Sequence, residues 1–339
     1  MEIAELENES LFINILLYAA SDTPSEFIRP VFVEAGYNLR SIEPNIPIDI
    51  VKIDRIRDNF PVRQASKPEL ILYNEHEAAL LLLECKTSSF SGTSSTAAQT
   101  RAYLILDTAD YRSLVGIDKR SRVTNIVYYL IIDRHEDFPT VLLDISEKIS
   151  ELVGNVNPIT SSVLTLRDNS LFISKCDPVL NDVNVFPNLK EELLIKNFDR
   201  FTRPIFLIPM LKTSTEFEEA VKEPEIIERI KRTIISEFGK HLDDGSVEFE
   251  LDGLITVAFP LFRTWISPSD NYKNTVRGYF RRFFRAFASR LSSFGINLEF
   301  AGPVIRMTFD TADKGRLEKD LVRIFRLTPD DVPEEGLFN

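Results

Sequence analysis

Two carboxylates, an ammonium, an amide and a phenol follow one another along one stretch of the chain: Glu69 after Pro68, then Glu84-Cys85-Lys86, then Gln99 and Tyr103 four residues apart. Successive side chains of a strand point to opposite faces, so Glu84 and Lys86 project together while Cys85 points away into packing. If the strand carrying Glu69 pairs beside this one, two carboxylates and an ammonium converge at one end of a sheet. Such a pair of hard oxygen donors can hold Mg²⁺, which keeps part of its water shell and leaves room for a substrate phosphate. The metal would lower the pKa of a bound water and stabilise charge developing on the phosphate. Lys86 would orient that water and neutralise the same charge. On a helix, Gln99 and Tyr103 would share a face.

These residues need elements to position them, and the apolar pattern supplies candidates. Pro68–Tyr73 and Ala78–Lys86 read as two strands joined by the polar turn Asn74–Glu77. A Ser/Thr/Gly-rich loop, Thr87–Ser95, leads into a predicted helix over Thr96–Tyr111, then a buried strand at Val123–Asp133 and a shorter one at Val141–Ile145. Upstream, residues 3–20 read as an amphipathic helix. A second helix is expected to start at Thr23-Pro24-Ser25-Glu26, where Thr caps and Glu completes a capping box, and to run to Gly36 with a kink at Pro30. Helix, strand, strand, helix, strand is an α/β order. Near residue 200 the character changes, with a strand at Pro204–Leu211, a charged helix at Glu216–His241, strands at Val247–Leu251 and Leu254–Phe259, a helix at Tyr272–Leu291, strands at Leu298–Phe300 and Val304–Phe309, and a helix at Lys314–Leu327.

The ordered set resembles the PD-(D/E)xK nuclease superfamily, in the branch whose motif ends in QxxxY, as in RecB-like and type I restriction nuclease modules. Ser25–Tyr37 looks like the first helix of those modules, with an acid near its start and a Gly-aromatic pair at its end. The resemblance covers roughly residues 20–135 and implies a restriction-endonuclease-like mixed sheet flanked by helices. It assigns Glu26 as the first-helix acid, with Glu34 as the alternative. Glu69, Glu84 and the main-chain carbonyl of Cys85 become Mg²⁺ ligands (Mn²⁺ substituting), Lys86 the residue that assists the nucleophile, and Gln99 and Tyr103 the groups that shape the site. Glu69 stands where the family more often has Asp. The implied activity is metal-dependent phosphodiester hydrolysis, of DNA first, by an endonuclease rather than an exonuclease, in a restriction or phage-defence setting. The alternative from another class is a catalytically inactive scaffold or interaction protein that keeps the fold, with Glu69, Glu84 and Lys86 as an ordinary ion cluster.

Composition narrows the remaining classes. The 339 residues allow about two domains at roughly 150 residues each. We expect a nuclease-like domain over 1–150, a connecting region over 151–200, and an α+β domain over 201–339 that binds DNA, a protein partner or a second copy of the chain. A net charge of −12 argues against coating nucleic acid through bulk charge, but allows a local groove. Residues 1–200 hold 20 basic and 30 acidic side chains and residues 201–339 hold 20 and 22. Two cysteines give no disulfide framework or zinc pattern, and the apolar run Leu11–Ala20 is too short to span a bilayer, so a cytoplasmic setting without a membrane partner is expected. His76-Glu77-Ala78-Ala79-Leu80 begins like HExxH but lacks the second His. No GxSxG, GxxxxGK[ST] or GxGxxG occurs.

No acidic residue lies between Asp270 and Glu299, while Arg277, Arg281 and Arg285 form a basic row beside an apolar stripe of Val276, Phe280, Phe283, Phe284, Phe287 and Leu291. The stripe reads as core. The row reads as a solvated face or as a surface for nucleic-acid phosphates. Arg29 and Arg101 carry the same two readings, and Asp133 reads as a turn residue.

Overall fold

A computed structural model describes residues 9–86, 90–118, 120–132, 137–176, 185–186, 191–201, 206–209, 224–265, 270–291 and 295–324. The chain forms two compact units, residues 1–205 with 264–268, and residues 206–263 with 269–339.

In the first unit the elements run α1 (Glu9–Ala19), α2 (Val31–Glu34), β1 (Tyr37–Ile42), β2 (Ile46–Pro47), α3 (Ile50–Arg57), β3 (Ala65–Ser66), β4 (Leu70–Asn74), β5 (Ala79–Lys86), α4 (Ser95–Leu104), α5 (Arg112–Val115), β6 (Thr124–Ile131), α6 (Phe138–Val153), β7 (Ile159–Arg167), β8 (Ser170–Lys175) and β9 (Glu191–Ile195). Seven strands form one mixed sheet in the order β1-β4-β5-β6-β7-β8-β9. The pairs β5–β6 and β6–β7 are parallel and the others antiparallel. β2 and β3 form a separate small ladder.

The leucine run of β5 is buried from Ala79 to Cys85, as expected of a central strand covered on both faces. On one face Ile71, Leu80, Leu82, Val127, Tyr129 and Ile131 pack against Ala97, Ala102 and Tyr103 of α4 and Leu142, Ile145 and Ile149 of α6. On the other, Phe32 of α2 meets the edge of the Tyr128 ring, and α2 touches both β1 and β9, so the sheet is curled. Gly36 joins α2 to β1 at φ +87°, and a Cβ there would stand 2.9 Å from Asn74 Nδ2. Only glycine meets both demands.

α4 is fixed at both ends. Ser94 Oγ accepts the Ala97 N–H at 3.1 Å. At the other end the carbonyls of Tyr103, Leu104, Ile105 and Leu106 accept hydrogen bonds from three separate segments of the chain. Asn157 donates its amide to Tyr103 O and Leu106 O, both at 2.8 Å, and its N–H to Leu104 O at 2.8 Å. Lys52 Nζ reaches Ile105 O at 3.3 Å, and buried Asn125 donates to Leu106 O at 3.0 Å. Asn125 Oδ1 also accepts from Thr108 and Tyr111, at 2.8 and 2.7 Å.

The structure corrects several sequence expectations. Residues 23–36 are not one helix: Ser25 Oγ accepts the N–H groups of Phe27 and Ile28, Ile28 bridges Ile195, and Arg29 N–H donates to Leu194 O. Edge pairing with β9 takes the backbone that a helix would need, and the helix begins only after Pro30, which has no N–H to lose. Val141–Ile145 belongs to α6, where Leu142, Ile145 and Ile149 recur at helical spacing. Leu254–Phe259 lies largely in the helix Leu251–Ala258, where Leu251, Leu254, Ile255 and Ala258 are buried at helical spacing. Residues 151–200 are not a connector, because β7, β8 and β9 complete the sheet. Residues 206–209 are not a strand; 204–205 and 210–211 of the expected strand Pro204–Leu211 lie outside the described residues, as do 3–8, 216–223 and 325–327.

The second unit contains α7 (Pro224–Gly239), β10 (Ser246–Glu250), α8 (Leu251–Ala258), α9 (Asp270–Arg290), β11 (Asn297–Ala301), β12 (Val304–Thr308) and α10 (Lys314–Ile324). Its three strands are antiparallel in the order β10-β12-β11, and rings of Phe238, Phe249, Phe284, Phe287 and Phe309 meet in its core. Among the described residues no helix is long and apolar enough to cross a membrane.

Removing the Asn125 side chain leaves two buried hydroxyls without their acceptor. Asn125→Ala is expected to lower the unfolding free energy by about 2 kcal/mol, seen as a lower urea midpoint at unchanged m-value. An unchanged midpoint would contradict this account of the α4 end.

Candidate functional site

β5 leaves its leucine run at Glu84, whose side chain is 3% exposed, and ends at Lys86. Glu69 precedes β4 and continues its pairing, with its N–H on Leu83 O at 3.0 Å. That register brings the Glu69 carboxylate to the Glu84 strand, where Oε2 accepts the Cys85 N–H at 2.7 Å. Glu69 itself is 6% exposed.

Glu84 is the hub. Its Oε1 accepts from Lys86 Nζ at 2.5 Å and from Gln99 Nε2 at 3.2 Å, and its Oε2 accepts from the Tyr103 hydroxyl at 2.7 Å. Gln99 Nε2 also donates to the Tyr103 oxygen and to Lys67 O. The four-residue helical spacing thus lets one amide and one phenol hold a single carboxylate and each other. Five of the sequence-predicted residues, Glu69, Glu84, Lys86, Gln99 and Tyr103, form one hydrogen-bonded group around the Cys85 main chain.

Four participants were not legible beforehand. Tyr129 on β6 is in register with Glu84, and its hydroxyl shares a 2.7 Å hydrogen bond with Thr100 on α4. Nothing in the sequence separates Tyr129 from an ordinary core tyrosine; only the parallel register does. Glu43 follows β1 at φ 49°, donates its N–H to Glu69 O at 2.8 Å and accepts the Trp265 indole N–H at 3.2 Å.

Burial is the main electrostatic influence on both phenols. It raises Tyr103 well above the ordinary phenol range, and the adjacent Glu84 charge adds to this. Tyr129 is raised in the same way by burial and then by Glu84 and Glu69, while Arg63 opposes the rise.

Other predicted residues lie elsewhere. Glu26 is exposed on the segment that pairs with β9, and Glu34 is exposed and ion-paired with Arg29. Neither joins the group around Glu84, so the first-helix acid has no counterpart in it; the helix that was to carry Glu26 inward does not form. Arg101 is neither a phosphate ligand nor an exposed charge. It is 4% exposed, stacks over Phe60, and donates to Pro61 O and Gly92 O, so it ties two loops to α4. In the second unit, Arg277 makes two 2.8 Å hydrogen bonds to Asp252, Arg281 donates to Gly302 O at 3.3 Å, and Arg285 stands over the Phe300 ring. Phe280, Phe283, Phe284 and Phe287 of α9 are buried, as their spacing predicts. His76 is an exposed turn residue beside Glu77, and Asp133 lies outside the described residues.

The donor chemistry fits a hard divalent cation. Glu69 and Glu84 are both buried hard-oxygen donors on adjoining stretches of chain, with Lys86 paired to Glu84. Among the described residues no group of three or more His, Cys, Asp or Glu is placed to hold a metal. No protein-family model, curated protein or solved structure matches the chain.

Because Tyr103 keeps its proton in the fold, stability present below pH 10 is lost as pH rises above it: the unfolded chain ionises first. Each such phenol removes about 1.4 kcal/mol per pH unit above the unfolded pKa. Tyr103→Phe should make the alkaline fall of stability shallower by that amount, measured by urea unfolding at pH 9, 10 and 11. Identical slopes would show that Tyr103 ionises freely in the fold.

Proposed function

We propose that the chain is a metal-dependent nuclease that hydrolyses phosphodiester bonds, of DNA in the first instance. One observation carries the reading: residues from the end of β5 and from α4 converge on the Glu84 carboxylate while Glu69 is held to the main chain between Glu84 and Lys86. The succession α2, β1, β4, β5, α4, β6, with the Glu84 strand central in a mixed sheet, supports the restriction-endonuclease-like description of the fold.

In this reading Glu69, Glu84 and the Cys85 carbonyl hold Mg²⁺, or Mn²⁺ in its place. The bound ion supplies Lewis-acid activation of a water and neutralises charge on the phosphate. Lys86, the most exposed member of the group, orients the attacking water and balances the charge that grows on the non-bridging oxygens. Water oxygen bonds to phosphorus and releases a proton to solvent, the bond from phosphorus to the leaving sugar oxygen breaks, and that oxygen takes up a proton from solvent, so the protons balance. Gln99 and Tyr103 fix the Glu84 carboxylate, so its geometry is set before substrate arrives.

The test is cleavage of supercoiled plasmid, linear duplex, single-stranded DNA and RNA with Mg²⁺ or Mn²⁺, wild type against Lys86→Ala, with Mn²⁺ calorimetry on wild type and Glu69→Ala. Cleavage is expected to fall at least about 100-fold in Lys86→Ala, and Mn²⁺ binding to be lost in Glu69→Ala. A folded wild type that neither cleaves nor binds Mn²⁺ would overturn the proposal in favour of the scaffold alternative.

A further inference from the structure

Residues 61–69 run across α4 at the turn that carries Gln99. Arg101 donates to Pro61 O, Arg63 N–H donates to Ala98 O at 3.3 Å, and Gln99 Nε2 reaches Lys67 O at 3.4 Å. Ser66, Pro68 and Glu69 are buried along this path, whereas Arg63 and Lys67 are exposed. Two cations are therefore carried on a segment anchored at several points to the elements that hold Glu84, and one of them lies two residues before Glu69.

Their electrostatic situation differs from that of the chain's other well-placed cations. Arg167, Arg277 and Arg306 each contact a carboxylate, Glu191, Asp252 and Glu248 respectively. Among the described residues, the side chains of Arg63 and Lys67 make no hydrogen bond or ion pair. Arg63 nevertheless lies near enough to the site for its charge to act on Tyr129, the residue in register with Glu84. Lys86 is already paired with Glu84, whereas Arg63 and Lys67 are exposed beside the Glu69–Glu84 pair. The ligand that two such neighbouring cations match is a polyanion.

We propose that Arg63 and Lys67 form a phosphate-binding rim beside the Glu69–Glu84 pair, which holds the sugar-phosphate backbone of a nucleic acid next to the bond to be cut. This rests on the nuclease reading and adds to it the residues that grip the substrate. The contacts are to phosphate, so they position the strand without selecting its sequence.

Both side chains are exposed, so Arg63→Ala/Lys67→Ala should retain the wild-type circular dichroism spectrum and melting temperature. Binding of fluorescein-labelled duplex DNA, single-stranded DNA and RNA is measured by anisotropy in EDTA, where no cleavage occurs, across a KCl series, with labelled polyglutamate as a non-nucleic polyanion. On the nucleic acid that binds, the slope of log K against log salt should be shallower in the variant by about 1.8 for a duplex or about 1.4 for a single strand, the contribution of two phosphate contacts. The arm showing that difference identifies the substrate class. Equal slopes and affinities for wild type and variant would overturn the rim, as would an equal loss on polyglutamate or a wild type that binds no nucleic acid. If the rim fails while wild type still cleaves and binds Mn²⁺, the nuclease reading stands without it.

Discussion

The burial of the Glu84 carboxylate is the constraint around which the first unit is arranged. An ionised carboxylate removed from water loses several kcal/mol of solvation unless charge and hydrogen bonds replace it. Here the replacement comes from Lys86 on the same strand and from Gln99 and Tyr103 on α4. α4 must then sit at a fixed height and rotation over β5. Its first turn is capped by Ser94, its last carbonyls are taken by Asn157, Lys52 and Asn125, and Thr100 ties its middle to Tyr129 on β6. The parallel pairing of β5 with β6 sets Tyr129 opposite Glu84, so sheet register and helix position reinforce each other.

The second carboxylate follows from the antiparallel pairing of β4 with β5. Glu69 lies one residue outside β4, and its N–H still pairs with Leu83 O, which leaves its side chain within reach of the Cys85 N–H. Arg101 contributes from within: its buried guanidinium holds the loops at Pro61 and Gly92 to α4. The result is a pair of buried carboxylates held by hydrogen bonds, with exposed Arg63 and Lys67 on the segment that leads to Glu69. The second unit is organised differently, around a phenylalanine core between helices and a three-stranded sheet, and there the arginines of α9 are engaged by Asp252, a carbonyl and an aromatic ring.

Where local signals and long-range pairing agree, the sequence was readable. The strands around Glu69 and Glu84 lie within a residue or two of their expected ends, because an uninterrupted leucine run bounded by a polar turn admits few alternatives. The Gln99–Tyr103 spacing foretold a shared helix face. Reading failed where tertiary pairing overrode local propensity. Thr23–Glu26 has every feature of a helix start, yet the backbone after it is claimed by β9, a strand more than 160 residues later in the chain. Leu254–Phe259 and Val141–Ile145 are short apolar runs whose period is ambiguous between strand and helix. Tyr129, Asn125 and Asn157 gain their roles only from register and packing, which a linear pattern does not contain. Arg101 looked like an exposed helix charge because a sequence gives no sign of two loop carbonyls folding over it.

The central claim is that Glu69 and Glu84 are placed together to hold a divalent cation. The most direct measurement is a crystal structure with Mn²⁺, read at the anomalous signal of the metal. The account predicts a peak bound by Glu69 and Glu84, with Tyr103 and Gln99 still on the Glu84 carboxylate. A structure at saturating Mn²⁺ with no peak there, and with Lys86 and α4 still satisfying Glu84 as they do here, would contradict it and leave the group as a purely structural ion cluster.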